Sequence, residues 1–485
     1  MNLVTGEWIP VLYQNGKATY VSLDTFFKDA GVLSDLALPP PQRIALMRFL
    51  ICVVQTSLEG PEDEKQWRSC VGKISETARD YLAAHKNEFE LYGDNPFMQV
   101  PTLEPLYNVV LDKLDFGLSS GNNARLFDHG ACKEGRMHND AWIALMLVTF
   151  LNNSPGGKIG VTKWAGKSTQ PGKTKGPGES EHAPCVEGSA LHSYVRKNNM
   201  LDTIHANLIT REVVAELPNM EWGRPTWELD CSERDSRDLQ KSVFTYLGRL
   251  LPLSRAVLFE RDSKCFTLAN GLTYPKLPEC REVTGTVIGR NDNRLGYVAT
   301  SLDRHPWREL NSLLSFGTQQ QGPLAFRHIK NTNSNDVLDV WTGGLAVDKG
   351  KILDMGEWSF CIPADMVAND GPLEVYGNGV RCAEKAEKKL YGAIKTYADA
   401  MSMEKAPMPK ARVHFWSQLD QNYEQLLETA NDPSISLDAQ WTPLLRKTMR
   451  SAYQAACPCT TPRQIQAFAA GQAKLKLPNA EKENA

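Results

Sequence analysis

From Val380 onward, apolar residues return every three or four positions, and that spacing leaves helix as the only regular solution. Ala383, Ala386, Leu390, Ile394, Tyr397 and Met401 form one series. Val413, Trp416, Leu419, Tyr423, Leu426 and Ala430 form a second, and Trp441, Leu444, Leu445, Met449, Ala452 and Ala456 a third. Residues so spaced gather on one face of a 3.6-residue helix and on no face of a strand. A fourth series opens at Thr461-Pro462, a capping residue followed by proline at the first helical position, and continues through Ile465 and Phe468. Four amphipathic segments with short joints predict an up-and-down bundle. Asn369-Asp370-Gly371-Pro372 breaks the pattern ahead of them. The expectation is an α+β chain in two domains: a large mixed α/β domain over residues 1–365 and a four-helix bundle over 366–485.

The rest of the chain mixes its signals. Residues 8–13 and 18–21 flank Asn15-Gly16, a dipeptide suited to a type I′ turn, and read as a hairpin. Ser22 is placed to cap a short helix through Phe26 and Phe27. Pro39-Pro40-Pro41 precedes a strong helix containing Ile44, Leu46, Met47, Leu50, Ile51 and Val54. Residues 257–259, 265–268 and 283–287 read as strands. The apolar run 141–151, broken only by Thr149, is too short for a bilayer, which needs about 20 residues, and reads as a buried helix.

Whole-chain charge argues against a general nucleic-acid binder. The 485 residues carry 54 Lys+Arg and 57 Asp+Glu, a net charge of −3. The N-terminus is acidic, with no secretory leader pattern, and the 11 cysteines are scattered, so reduced thiols in the cytoplasm are expected. One segment departs from the average. Residues 155–178 contain seven Gly, three Pro and five lysines (Lys158, Lys163, Lys167, Lys173 and Lys175), with no acid. Two readings fit it: a solvated linker, or a nucleic-acid contact in which glycine admits close approach, lysine attracts phosphate and Trp164 stacks. A phosphate-binding P-loop is excluded, because the leading glycine of GxxxxGK[ST] is replaced by Val161 or Lys167 and no apolar strand precedes either site. Asp128, His129 and His138 raise the alternative of a metal-dependent nuclease, although no HxxxH or HExxH spacing accompanies them.

Several motifs then fall into a known order. NLVTGEWIPV at 2–11, SLDTFF at 22–27, PPQRIALMRFLICVV at 40–54 and NPFMQVP at 95–101 resemble the CasA family. These are the large subunits of Cascade, the type I-E CRISPR surveillance complex. SSGNNARLFDHG at 119–130, ALMLVTFLNNSPGG at 144–157, KCFTLANGL at 264–272 and VWTGGLAVDKGKIL at 340–353 continue the likeness nearly end to end.

The resemblance implies a non-catalytic subunit, without cofactor or metal, that reads the protospacer-adjacent motif (PAM) through the minor groove. It further implies strand separation, R-loop formation and recruitment of a helicase–nuclease. The implied partners are the 5′ end of the guide crRNA, double-stranded target DNA, the displaced strand, and the backbone, small and 5′-handle-binding subunits. No membrane is involved. Residue by residue, the family's glycine loop falls on Gly156 and Gly157, extending to Gly160, and its groove lysine on Lys264. Its strand-separating wedge falls on a hairpin tip at Asp348, Lys349 and Gly350. Its docking loop for guide RNA and neighbouring subunits falls on Asn123, Leu126, Phe127, Asp128 and His129. This chain departs from the family in placing Lys349 where relatives carry glutamine, and it lacks the cysteine pairs that hold zinc in some of them. Ordinary roles compete at each position: solvated charge at Lys264 and Lys349, a helix C-cap at Gly156-Gly157, core packing at Leu126 and Phe127.

Overall fold

The structure, a computed structural model, describes residues 1–104, 108–118, 135–157, 159, 162–169, 182–289, 294–317, 320–331, 337–348, 350–363 and 365–477. Contacts divide the chain into two units. The first comprises Met1–Asp303, Phe316–Ile329 and Leu338–Phe360; the second comprises Arg304–Ser315, Lys330–Val337 and Cys361–Ala485.

In the first unit, strands Ile9–Tyr13 and Ala18–Val21 pair antiparallel around the Asn15-Gly16 turn, where Gly16 takes φ +83°. Strand Leu33–Leu36 joins the other edge of Ile9–Tyr13. The Ser22 hydroxyl accepts from the Thr25 N–H at 3.2 Å and caps the helix Leu23–Asp29. Pro40 and Pro41 do not stand ahead of the next helix but begin it, at Pro40–Ser57. Proline is tolerated there because the first N–H groups of a helix have no intrahelical partner. This helix is buried from Ile44 through Gln55 on all sides, so it is an interior helix rather than an amphipathic one. It packs on a second interior helix, Asp140–Asn153, which contains the 141–151 apolar run. No helix among the described residues is long and apolar enough to cross a membrane.

A buried ion triad crosses this core. Glu282 forms an ion pair with Arg48 at 2.8 Å and accepts a hydrogen bond from Arg249 at 2.7 Å, each side chain no more than 3% exposed. Burial alone would push the Glu282 carboxyl up, and the two guanidinium groups instead hold it below the usual range.

Strand Cys265–Asn270 lies between Arg255–Phe259 and Val109–Val110 in an antiparallel sheet. The strand expected over 283–287 begins only at Val287, in Val287–Gly289. Before that point the backbone turns: Gly285 N–H bonds back to Glu282, while Thr284 and Val283 carbonyls accept from Ser193 and Leu324. The longest strands, Val337–Asp348 and Lys351–Pro363, form a hairpin, with His192–Arg196 on its other edge pairing with residues 339–343.

In the second unit, helix Asp370–Met401 starts ten residues before the apolar series that marks it, because Gly371 and Pro372 sit in its permissive first turn. The series expected as one helix over 413–430 is two, Met408–Asp420 and Tyr423–Asn431. Helices Trp441–Ala456 and Pro462–Gln472 follow, the last closed by a capping box between Thr461 and Gln464. Val413 is 71% exposed while Phe415 is buried, so the inward face of its helix is rotated from the expected one. A linear cut at 365/366 misses part of this unit. Trp307, 1% exposed, donates to Asp420 at 2.7 Å, and Arg308 lies 3.4 Å from the ring centre of Trp416.

Candidate nucleic-acid interface

The glycine loop begins where the interior helix Asp140–Asn153 stops. Asn153 donates to the Pro41 carbonyl at 3.0 Å, which ties the helix end into the core. Ser154 is the C-cap residue, with φ −57° and ψ 117°, so Gly156 and Gly157 lie past the terminal turn and do not cap it. Gly157 takes φ +128°, a conformation essentially reserved for glycine, and a Cβ there would meet open space. Backbone shape, rather than crowding, makes glycine necessary at this position.

Arg255 braces the loop from beneath. It is 3% exposed and donates to Ser154 Oγ at 2.9 Å, to Asn270 Oδ1 at 2.9 Å and to the Pro155 carbonyl at 3.5 Å. Burial, reinforced by the Arg255 charge, pulls the Lys113 ammonium below the usual lysine range. One buried cation, Arg255, therefore stands behind the loop, and Lys113 lies within its electrostatic reach. Sequence reading missed both; the only signal was an arginine at the head of an apolar strand.

The hairpin tip meets this loop. Gly350 takes φ +79°, and a Cβ on it would lie 3.0 Å from the Gly156 carbonyl oxygen and 3.3 Å from its carbon. Backbone thus packs on backbone, so closely that a Cβ would force the two apart by a few tenths of an ångström. Asp348 beside it is exposed; Lys349 lies outside the described residues. Below the tip, Leu345 and Ile352 pack with Ala183 and Val186, with Val347 and Met355 at the margin.

Other expected residues separate from this pair. Lys264 is exposed and precedes strand Cys265–Asn270, and the loop is gripped at the strand's opposite end, through Asn270 and Arg255. At about 3.3 Å per residue those ends are roughly 17 Å apart. Lys163 and Lys167 sit on the small hairpin Lys163–Trp164 and Lys167–Ser168, where Lys167 pairs with Asp235 at 3.0 Å and Lys163 with Glu104 at 3.9 Å. The acids missing from residues 155–178 are supplied from elsewhere in the fold. Trp164 is 1% exposed and donates to the Cys231 carbonyl at 2.9 Å, so it is core and not a stacking platform for bases. Lys158, Gly160, Lys173 and Lys175 lie outside the described residues, as do Asn123, Leu126, Phe127, Asp128 and His129.

His138, the described member of the possible nuclease cluster, is engaged structurally. It bonds Asp112 at 2.7 Å and stacks on Trp142 with ring centres 3.5 Å apart. Among the described residues no three His, Cys, Asp or Glu side chains converge on a possible metal position.

Comparison with known proteins bears on the whole chain. The family model described as CRISPR-associated protein Cse1 matches residues 2–457. A CRISPR-associated protein CasA/Cse1 from Thermus thermophilus is 24% identical, over 94% of this chain and 92% of that protein. A crystal structure of Thermus thermophilus CasA superposes with a TM-score of 0.79 at 18% identity, covering 98% of both chains. Thermobifida fusca Cse1 gives 0.77 at 18% identity, again covering 98% of both. A chain of a CRISPR RNA-guided surveillance complex gives 0.78 at 15% identity, covering 98% of this chain and 99% of that one. With nearly its full length matched, the chain belongs to the CRISPR-associated Cse1 family, the CasA-type large subunits to which its motifs point.

Proposed function

We propose that this protein acts as the non-catalytic large subunit of a type I-E Cascade complex in the cytoplasm, recognising the PAM in duplex DNA and starting strand separation. The observation that carries the reading is the packing of Gly350 on Gly156, which joins two segments almost 200 positions apart in sequence into one surface. Glycine backbone there can approach a groove floor closely, its N–H groups donating to base acceptors, while the minor groove's degenerate pattern gives permissive recognition. Lys264 and Lys349 add cationic contacts, and Asp348, Lys349 and Gly350 form the wedge. Opening the first base pairs costs about 1.4 kcal/mol per step, a scale that a few charge contacts offset, and guide pairing then supplies sequence specificity.

In the same reading, residues 123–129 dock on the crRNA 5′ end and the neighbouring backbone, small and 5′-handle-binding subunits. Lys158, Lys173 and Lys175, with Gly160, extend the contact along the duplex. The C-terminal helices hold the displaced strand and receive the helicase–nuclease.

The test is reconstitution of the complex with and without this chain, measuring duplex binding across a panel of flanking trinucleotides. Binding that depends on both the chain and the trinucleotide is expected. Equal binding across the panel would overturn motif recognition, and metal-dependent cleavage by the isolated chain would overturn the non-catalytic role.

A further inference from the structure

The hairpin tip is also held from behind, by a side chain that no motif marks. Strand His192–Arg196 covers the edge of Val337–Asp348 only at residues 339–343. Beyond Gly343 that edge has no strand neighbour among the described residues, and at Val347 a serine takes its place. Ser189 Oγ accepts from the Val347 N–H at 2.9 Å and donates to the Val347 carbonyl at 3.2 Å. One hydroxyl thus satisfies both backbone groups of a residue two positions before Lys349 and three before Gly350.

Ser189 does this from a backbone that disfavours it. Gly188 and Ser189 both have φ +59°, a region natural to glycine but costly for serine. The turn is fixed on either side of the hydroxyl: Thr300 N–H donates to the Ser189 carbonyl at 2.8 Å, and Ala190 N–H to the Glu187 carbonyl at 3.0 Å. Glycine would relax this turn and would leave Val347 unpaired. A positive φ kept by a residue whose side chain completes a strand edge marks that side chain as the reason for the strain.

We propose that Ser189 is a positioning residue that holds the hairpin tip against the glycine loop, so that the interface is assembled before DNA arrives. The inference rests on the recognition role proposed above for the tip.

Ser189→Gly separates this from ordinary structural support, because it deletes the hydroxyl while relieving the backbone. The expected result is an unchanged or higher melting temperature together with faster hydrogen–deuterium exchange over residues 345–352. In the reconstituted complex, motif-bearing duplex should bind roughly 5- to 150-fold more weakly, the loss expected for two hydrogen bonds. Ser189→Ala, which keeps the strain, should give the same exchange and binding changes. Lys349→Glu is measured alongside. If it weakens binding while Ser189→Gly changes neither exchange nor binding, the positioning inference is overturned. If Lys349→Glu has no effect, the recognition role fails on its own terms, and exchange then decides alone: unchanged exchange refutes the hold on the tip, and faster exchange supports it.

Discussion

Replacing Gly350 by alanine isolates the contact on which the proposed interface depends. Two costs add. An L-residue in the left-handed region loses about 1–2 kcal/mol relative to glycine. The new Cβ would also stand 3.0 Å from the Gly156 carbonyl oxygen, tighter than ordinary van der Waals contact, and the opposing atoms are backbone that cannot rotate away. The tip must therefore lift from the loop by a few tenths of an ångström or change its turn. If DNA requires the seated tip, the strain reappears as lost affinity, and 1–2 kcal/mol corresponds to roughly 5–30-fold weaker binding. Gly16→Ala is the matched control: φ is +83° there and nothing lies within 4 Å of the added Cβ, so strain is reproduced without a collision. Complexes reconstituted with each variant are titrated with duplexes bearing matched and scrambled motifs, and melting temperatures are recorded in parallel. Both variants should melt slightly lower, and only Gly350→Ala should lose affinity for the matched duplex. Matched-duplex binding within twofold of the unaltered complex would refute the claim that tip and loop act as one surface.

Glu282→Gln should destabilise the first unit by about 3–5 kcal/mol in urea unfolding, since Arg48 and Arg249 would remain buried with one neutral partner between them; a loss below 1 kcal/mol would show the triad to be incidental. His192 predicts a pH dependence of defined sign. Its Nε2 faces the Cys185 carbonyl and its Nδ1 the Thr284 hydroxyl, and burial, with the Arg48 charge, pushes it down to about 4. Between that value and the unfolded value of about 6.5, the unfolded chain binds a proton that the native one refuses, so stability falls as pH falls through this window. Glu187, pushed up to about 7 mainly by burial, acts in the opposite sense, so the check is whether His192→Asn selectively removes the acid-side loss. Finally, a fragment ending at residue 365 should express poorly or aggregate, because it would strip the partners from Trp307, Leu310 and Leu313; a soluble, monomeric fragment would contradict the unit's composition.

The parts legible in advance share a physical basis. The Asn15-Gly16 turn, the Ser22 cap and the Thr461-Pro462 helix start are written in residues that act within a few positions of themselves. The errors arise where distant partners intervene. Trp164 looked available for stacking because its lysine-rich neighbours conceal Cys231, and Lys167 looked free because Asp235 lies 68 positions away. Val413 fitted a helical period, but the period does not say which side of the helix a neighbour will cover.

For the candidate interface the division is sharper. Taken alone, the sequence determined that glycine stands at 156, 157 and 350, that lysine stands at 349, and that the motifs follow the CasA order. It could not say that Gly350 touches Gly156, that Arg255 braces the loop, or that Ser189 holds Val347. Local conformational preference is encoded within a few residues of chain. Close approach between segments, with its demand for glycine or for one well-placed hydroxyl, exists only once the whole core has brought them together.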